Sequence, residues 1–261
     1  MSKRIRFLIS SIFISLVFFV FIALSYELRY YAMAIGTIIL MFTFWFGLEV
    51  KKKTPMLLKM MLVVLPISFF VGYGLFVAII PYNIILGIIL SVFFGIIIYA
   101  IFLVENVFMF AVGYKTVPLY RAAYTVGSMI MLLTAFFLFD SLYSFSLSFW
   151  LNMVFVYIIS VLIFMYHFFS ITIELPDDGK KMDIKSYILI PSLLMSELAL
   201  VLSFWPVGIF KGSIYLTAII YVIAGLIQSE IRGRLFKKVW LNFTWIGMAI
   251  ILGIIMMTGW R

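Results

Sequence analysis

With 261 residues, 66% of them hydrophobic and 11% charged, the chain has far more apolar surface than a water-soluble core can hide. A mean hydropathy of +1.26 and apolar runs of about 20 residues from end to end point to an all-α, polytopic transmembrane bundle of about nine spans, a single integral domain over residues 1–261. The net charge of +9 is spread over short loops between those runs, which argues against nucleic-acid binding and for contact with anionic lipid, and the absence of cysteine excludes disulfides, thiolate catalysis and sulfur-ligated metal.

Ser2 to Arg6 is a basic leader to an apolar run from Phe7 to about Ser25. At about 19 residues the run exceeds a signal-peptide core, which favours an uncleaved first span over a cleaved leader. The second span is Tyr30 to Val50, closed by Lys51, Lys52 and Lys53, and the third is about Met60 to Ile80, with Pro66 inside it and Pro81, Tyr82 and Asn83 making the turn. The fourth starts near Ile84 and reaches Val104 after about 31 Å, one hydrocarbon thickness, which places Glu105 at the far interface. Asn106 to Tyr120 carries Gly113, Lys115 and Pro118 and is expected to be interfacial or re-entrant. The remaining spans are about Ala122 to Phe139, Phe149 to Ile173, Ser186 to Phe210, Ser213 to Gln228 and Val239 to Trp260.

Nine crossings with the amino terminus inside sort the basic residues sharply. Lys3, Arg4, Arg6, Lys51, Lys52, Lys53, Lys59, Lys115, Arg121, Lys180, Lys181, Lys185, Arg232, Arg234, Lys237 and Lys238 fall inside, against Arg29, Lys211 and Arg261 outside. A split of 16 to 3 over short loops is the pattern of a cytoplasmic-membrane protein with an internal amino terminus and an external carboxyl terminus. No internal repeat is visible, which weakens an inverted-repeat transporter plan.

Few polar residues fall inside the spans. Glu197 lies about 18 Å along its helix from Lys185, close to mid-membrane, where a carboxylate is expensive and either marks a functional site or is neutral and hydrogen-bonded to a neighbouring helix. Pro191, Ser192 and Ser196 precede it, and a proline there frees backbone carbonyls that can line a polar cavity. His167, the one histidine, is placed for a proton relay to Glu197 on the next, antiparallel span, or for a plain interhelical hydrogen bond. Glu105 and Arg121 are expected to pair at one interface, either pinning the intervening connection or forming, with Asn106, the mouth of a cytoplasmic-side cavity. Asp140 is expected at the outer interface, solvated or partnered by Lys211. Ala122, Ala123, Gly127 and Thr134 offer a small-residue face for close helix packing. The acidic loop at Glu174 to Lys181 is a weak metal site, and no cofactor, metal or catalytic set is expected.

The segment running from Glu105 and Asn106 through Leu119, Tyr120, Arg121, Ala122, Ala123, Val126 and Gly127 to Asp140 resembles a family of uncharacterised multi-pass bacterial membrane proteins. The resemblance implies a bacterial inner-membrane location and transfers no substrate or catalytic residue.

Three functions compete. A non-enzymatic membrane component, touching anionic lipid and other membrane proteins, accounts for the scarcity of polar groups. A small-molecule or ion transporter would use Glu197 and His167 for proton coupling, with Pro66 and Pro191 as bends. An intramembrane enzyme on a lipid-linked substrate would fall to Glu105 and Arg121, and ranks last because no nucleophile, metal set or acid–base pair can be assembled.

Overall fold

A computed structural model describes residues 3–49, 56–81, 83–113, 119–173 and 184–258. The expectations placed on Lys51 to Lys53, Tyr82, Lys115, Pro118, the Glu174 to Lys181 loop, Trp260 and Arg261 concern residues outside that set. The described residues form nine α-helices and no strand, each helix long and apolar enough to cross a membrane. They are α1 (Lys3–Ala23), α2 (Tyr26–Leu48), α3 (Met56–Ile79), α4 (Ile84–Gly113), α5 (Tyr120–Ser144), α6 (Phe149–Thr172), α7 (Ile184–Phe204), α8 (Ile209–Ile231) and α9 (Lys237–Met257). Packing divides the chain into two compact units, Met1–Thr134 and Ala135–Arg261, so that α5 belongs partly to each.

In the first unit α1 and α4 lie antiparallel along their whole lengths. Lys3 Nζ sits 4.4 Å from the Phe110 ring, Phe7 stacks on Phe102 at 5.5 Å, and Ser15 Oγ donates to Ser91 O at 2.6 Å. That partnership explains why α4 does not end at Val104. Its 30 residues extend about 45 Å, beyond one hydrocarbon thickness, and Lys3 in the first turn of α1 still reaches the Phe110 ring near that end. Asn106 to Gly113 therefore continues the helix and makes no re-entrant turn. Asn83 caps the other end, its Oδ1 accepting from the Ile85 N–H at 3.1 Å.

The core of this unit is aromatic. Phe18 stacks on Phe94 at 4.2 Å and on Tyr73 at 5.3 Å, and meets Phe70 edge-on at 5.8 Å. Phe44 stacks on Phe102 at 4.0 Å. Close approach of α2 needs glycine at two points. A Cβ on Gly36 would lie 2.7 Å from Phe70 Cζ, and one on Gly47 would lie 2.6 Å from Phe102 Cε1.

Two arginines tie loose ends to this core. Arg6 Nε donates to Gly47 O at 2.8 Å, and its guanidinium pairs with Glu49, which ends α2 in the left-handed region at φ 52°. Arg29 donates to the carbonyls of Leu24, Ala78 and Ile22, tying the α1–α2 connection to the end of α3. Helix-end carbonyls lack intrahelical donors, and a half-buried guanidinium takes that role here.

In the second unit α6 and α7 are the most closely packed pair, and the buried face of α7 is small: Ser192, Ser196 and Ala199, with Pro191 and Met195. The serines return their hydroxyls to their own helix, Ser192 to Ile188 O at 2.6 Å and Ser196 to Leu193 O at 2.7 Å, so small volume is their contribution to the interface. α7 stops at Phe204, six residues short of the expected Phe210. Pro206 is the cause: it disfavours helical backbone at Trp205, and Gly208 then caps α8. Gly233, at φ 64°, closes α8 in the left-handed conformation that suits glycine. α9 packs on α8 and is largely exposed.

Candidate functional site

Within each unit the expected site residues do not converge. Glu197 is exposed on α7, on the same outward stripe as Ile190, Leu193, Leu194, Val201 and Phe204. It points away from the α6 seam, since the spacing that turns Ser192, Ser196 and Ala199 inward turns Glu197 out. Ser196 is buried in that seam. His167 is buried on α6, and its Nε2 lies 3.0 Å from Ala224 O on α8, where it donates to that carbonyl. The histidine thus takes the interhelical hydrogen bond and does not meet Glu197.

Glu105 is fully enclosed, and α4 continues eight residues past it. Arg121 is exposed in the first turn of α5, and no ion pair or hydrogen bond joins the two among the described residues. Asn106 Oδ1 is buried without a hydrogen-bond partner among the described residues. The expected Glu105–Arg121 pairing is not formed, because one partner is turned into the helix bundle and the other out of it.

Polar groups do gather elsewhere, at the end of the second unit where α5 and α7 finish and α6 and α8 begin. A cavity of about 290 Å³ is lined there by Tyr143, Asn152, Ser203, Trp205, Gly208 and Gly212, among others. Asn152 is 6% exposed, and its Nδ2 faces Leu147 O at 3.4 Å, leaving Oδ1 buried without a partner among the described residues. The Tyr143 hydroxyl is likewise buried and unpartnered there. One helical turn before Tyr143, Asp140 is 7% exposed, lies beside the Ser213 hydroxyl and has an unpartnered Oδ1 among the described residues. Asp140 is therefore neither solvated nor partnered by Lys211 as expected.

Two helix amino termini border the same cavity. α6 begins after Ser148, whose side chain makes no cap hydrogen bond, and α8 begins after Gly208, which has no side chain. Trp205 Nε1 donates to Thr258 Oγ1 at 2.8 Å, fastening the end of α9 beside the cavity, and Phe149 rests on Phe204 at 5.2 Å. Asn152, Tyr143 and the two caps did not stand out in the sequence. The signal that marks them is the Trp205-Pro206-Val207-Gly208 break, which ends one helix and begins the next within four residues.

Among the described residues no group of three or more His, Cys, Asp or Glu side chains could hold a metal ion. No curated protein and no solved structure matches the chain. A family profile described as "Protein of unknown function (DUF5656)" matches residues 9–257, nearly the whole chain, and the chain belongs to that family.

Proposed function

We propose that the protein is a non-enzymatic integral component of the cytoplasmic membrane, with its amino terminus inside, its carboxyl terminus outside, and a basic inner face that meets anionic lipid and other membrane proteins. One observation supports this reading: several of the polar side chains within the spans join helices or bond within their own helix. His167 bridges α6 to α8, Ser15 bridges α1 to α4, Arg29 gathers helix-end carbonyls, and the serines of α7 bond within their own helix. If each helix crosses once, Lys3, Arg4, Arg6, Lys59, Arg121, Lys185, Arg232, Arg234, Lys237 and Lys238 share one face, and Arg29 and Lys211 occupy the other.

Proton-coupled transport through Glu197 finds no support in this geometry. Its carboxylate lies on the outer stripe of α7, and His167 is committed to Ala224. Liposomes containing the reconstituted protein and an internal pH-sensitive dye test the point. After an imposed pH step, the wild type and Glu197→Gln should dissipate the gradient at the same rate. A proton flux present in the wild type and abolished in Glu197→Gln would replace this reading with transport.

A further inference from the structure

We propose that the outward stripe of α7 is a self-association surface, seated on the same stripe of a second copy of the chain, with the two Glu197 carboxyls bonded to each other at its centre. The argument starts with the position of Glu197. At 1.5 Å per residue it lies about 20 Å from Ile184 and about 10 Å from Phe204, the two ends of α7. Its side chain is exposed, and among the described residues no hydrogen bond or ion pair reaches it. Every other exposed charged side chain among the described residues lies in the first or last turn of a helix or between helices. A carboxyl facing hydrocarbon alone at that depth is costly, and a partner helix that bonds to it removes the cost.

The apolar residues around Glu197 are spaced for such a helix. Ile190, Leu194, Val201 and Phe204 flank it at alternating steps of four and three residues, and each is exposed, from 46% for Leu194 to 68% for Phe204. A repeat of 3.5 residues is the seam by which two helices pack along their lengths, whereas a face that meets only lipid needs no such period. Symmetry then selects the partner. Two copies inserted the same way in one bilayer are related by a two-fold axis along its normal, so their α7 helices run parallel and equal depths meet. Glu197 of one copy faces Glu197 of the other. A neutral carboxyl has one O–H donor beside an acceptor oxygen, so two of them close a reciprocal pair of hydrogen bonds. No other face of a second copy competes, because the described residues place no exposed Lys, Arg or His inside a helix away from its ends. The inference deepens the proposed function by naming a second copy as the membrane-protein partner, and it rests on α7 crossing the bilayer but not on which side is inside.

Single cysteines in the cysteine-free chain read the seam. Leu194→Cys and Val201→Cys, oxidised with copper phenanthroline in native membranes, should form disulfide-linked dimers. Leu252→Cys, comparably exposed but on α9, should not. Sedimentation equilibrium of the full chain in density-matched micelles reads the strength. Glu197→Leu should weaken dimerisation about tenfold, and Glu197→Gln, whose amide also donates and accepts, should stay within about twofold of the wild type. Both alter an exposed side chain, so the fold is left intact. Absence of dimers, equal cross-linking from α7 and α9, or a Glu197→Leu chain that dimerises as tightly as the wild type would overturn the proposal. Glu197→Gln dissociating as far as Glu197→Leu would also overturn it, and would assign the face to a different protein that carries a mid-membrane cation. Any of these failures leaves the proposed function standing, because that reading is tested by the side of the membrane that Lys59 and Lys238 occupy.

Discussion

Glu105 and Glu197 are both interior residues of their helices, yet one is fully enclosed and the other exposed. Depth along a helix can be counted from the sequence, but rotation about its axis follows from which face the neighbours cover, and a helix apolar all round gives little sign of that. Glycines are clearer at this scale. Gly47→Ala places a methyl group 2.6 Å from Phe102, whose ring cannot retreat because Phe44 and Phe7 stack against it. The expected cost is about 1–3 kcal/mol, seen as a lower thermal midpoint of the detergent-solubilised protein. Glu49 makes a pH prediction. The Arg6 guanidinium bonded to it, aided by the Arg6 and Lys3 charges, holds its carboxyl below the usual carboxylate range against a smaller opposing effect of desolvation. A depressed folded pKa contributes stability that is full above the ordinary range and is lost as pH falls through the folded value. Glu49→Gln should lower the midpoint slightly at neutral pH and remove that part of the acid dependence. Superimposable pH profiles would contradict the pairing.

At the scale of elements, helix identity was legible and several helix ends were not. All nine apolar runs appear as helices, since each is long enough and apolar enough to satisfy its backbone internally. The end of α4 was hidden because the signal for it lies about a hundred residues away, in Lys3 of α1. The end of α7 was written in Pro206, within a run whose hydropathy read straight through it. Of the candidate site, the sequence showed the rare polar residues but not their company: His167 found a carbonyl, Arg121 faces outward, and the cavity of Asn152 and Tyr143 is made by helix ends that meet only in the fold. Two variants probe these contacts. Ser196→Leu forces a branched side chain into the α6–α7 seam, where the residue is 1% exposed, and should cost about 1–3 kcal/mol in denaturant titration. His167→Ala should cost about 1 kcal/mol by the same measurement, the scale of one interhelical hydrogen bond in a membrane protein.

For the whole molecule, the account depends on every helix making one crossing, with the basic ends gathered on one face. Membership in a family of unknown function carries no activity to the chain, so topology is the property on which proposals about lipid contact and self-association rest. The chain's lack of cysteine makes that topology directly measurable. Single Lys59→Cys, Lys238→Cys and Lys211→Cys variants, exposed in intact cells to a membrane-impermeant maleimide, test it most directly. Lys211→Cys should label in intact cells, and Lys59→Cys and Lys238→Cys only after the membrane is permeabilised. Labelling of Lys59→Cys and Lys238→Cys from opposite faces would contradict the account.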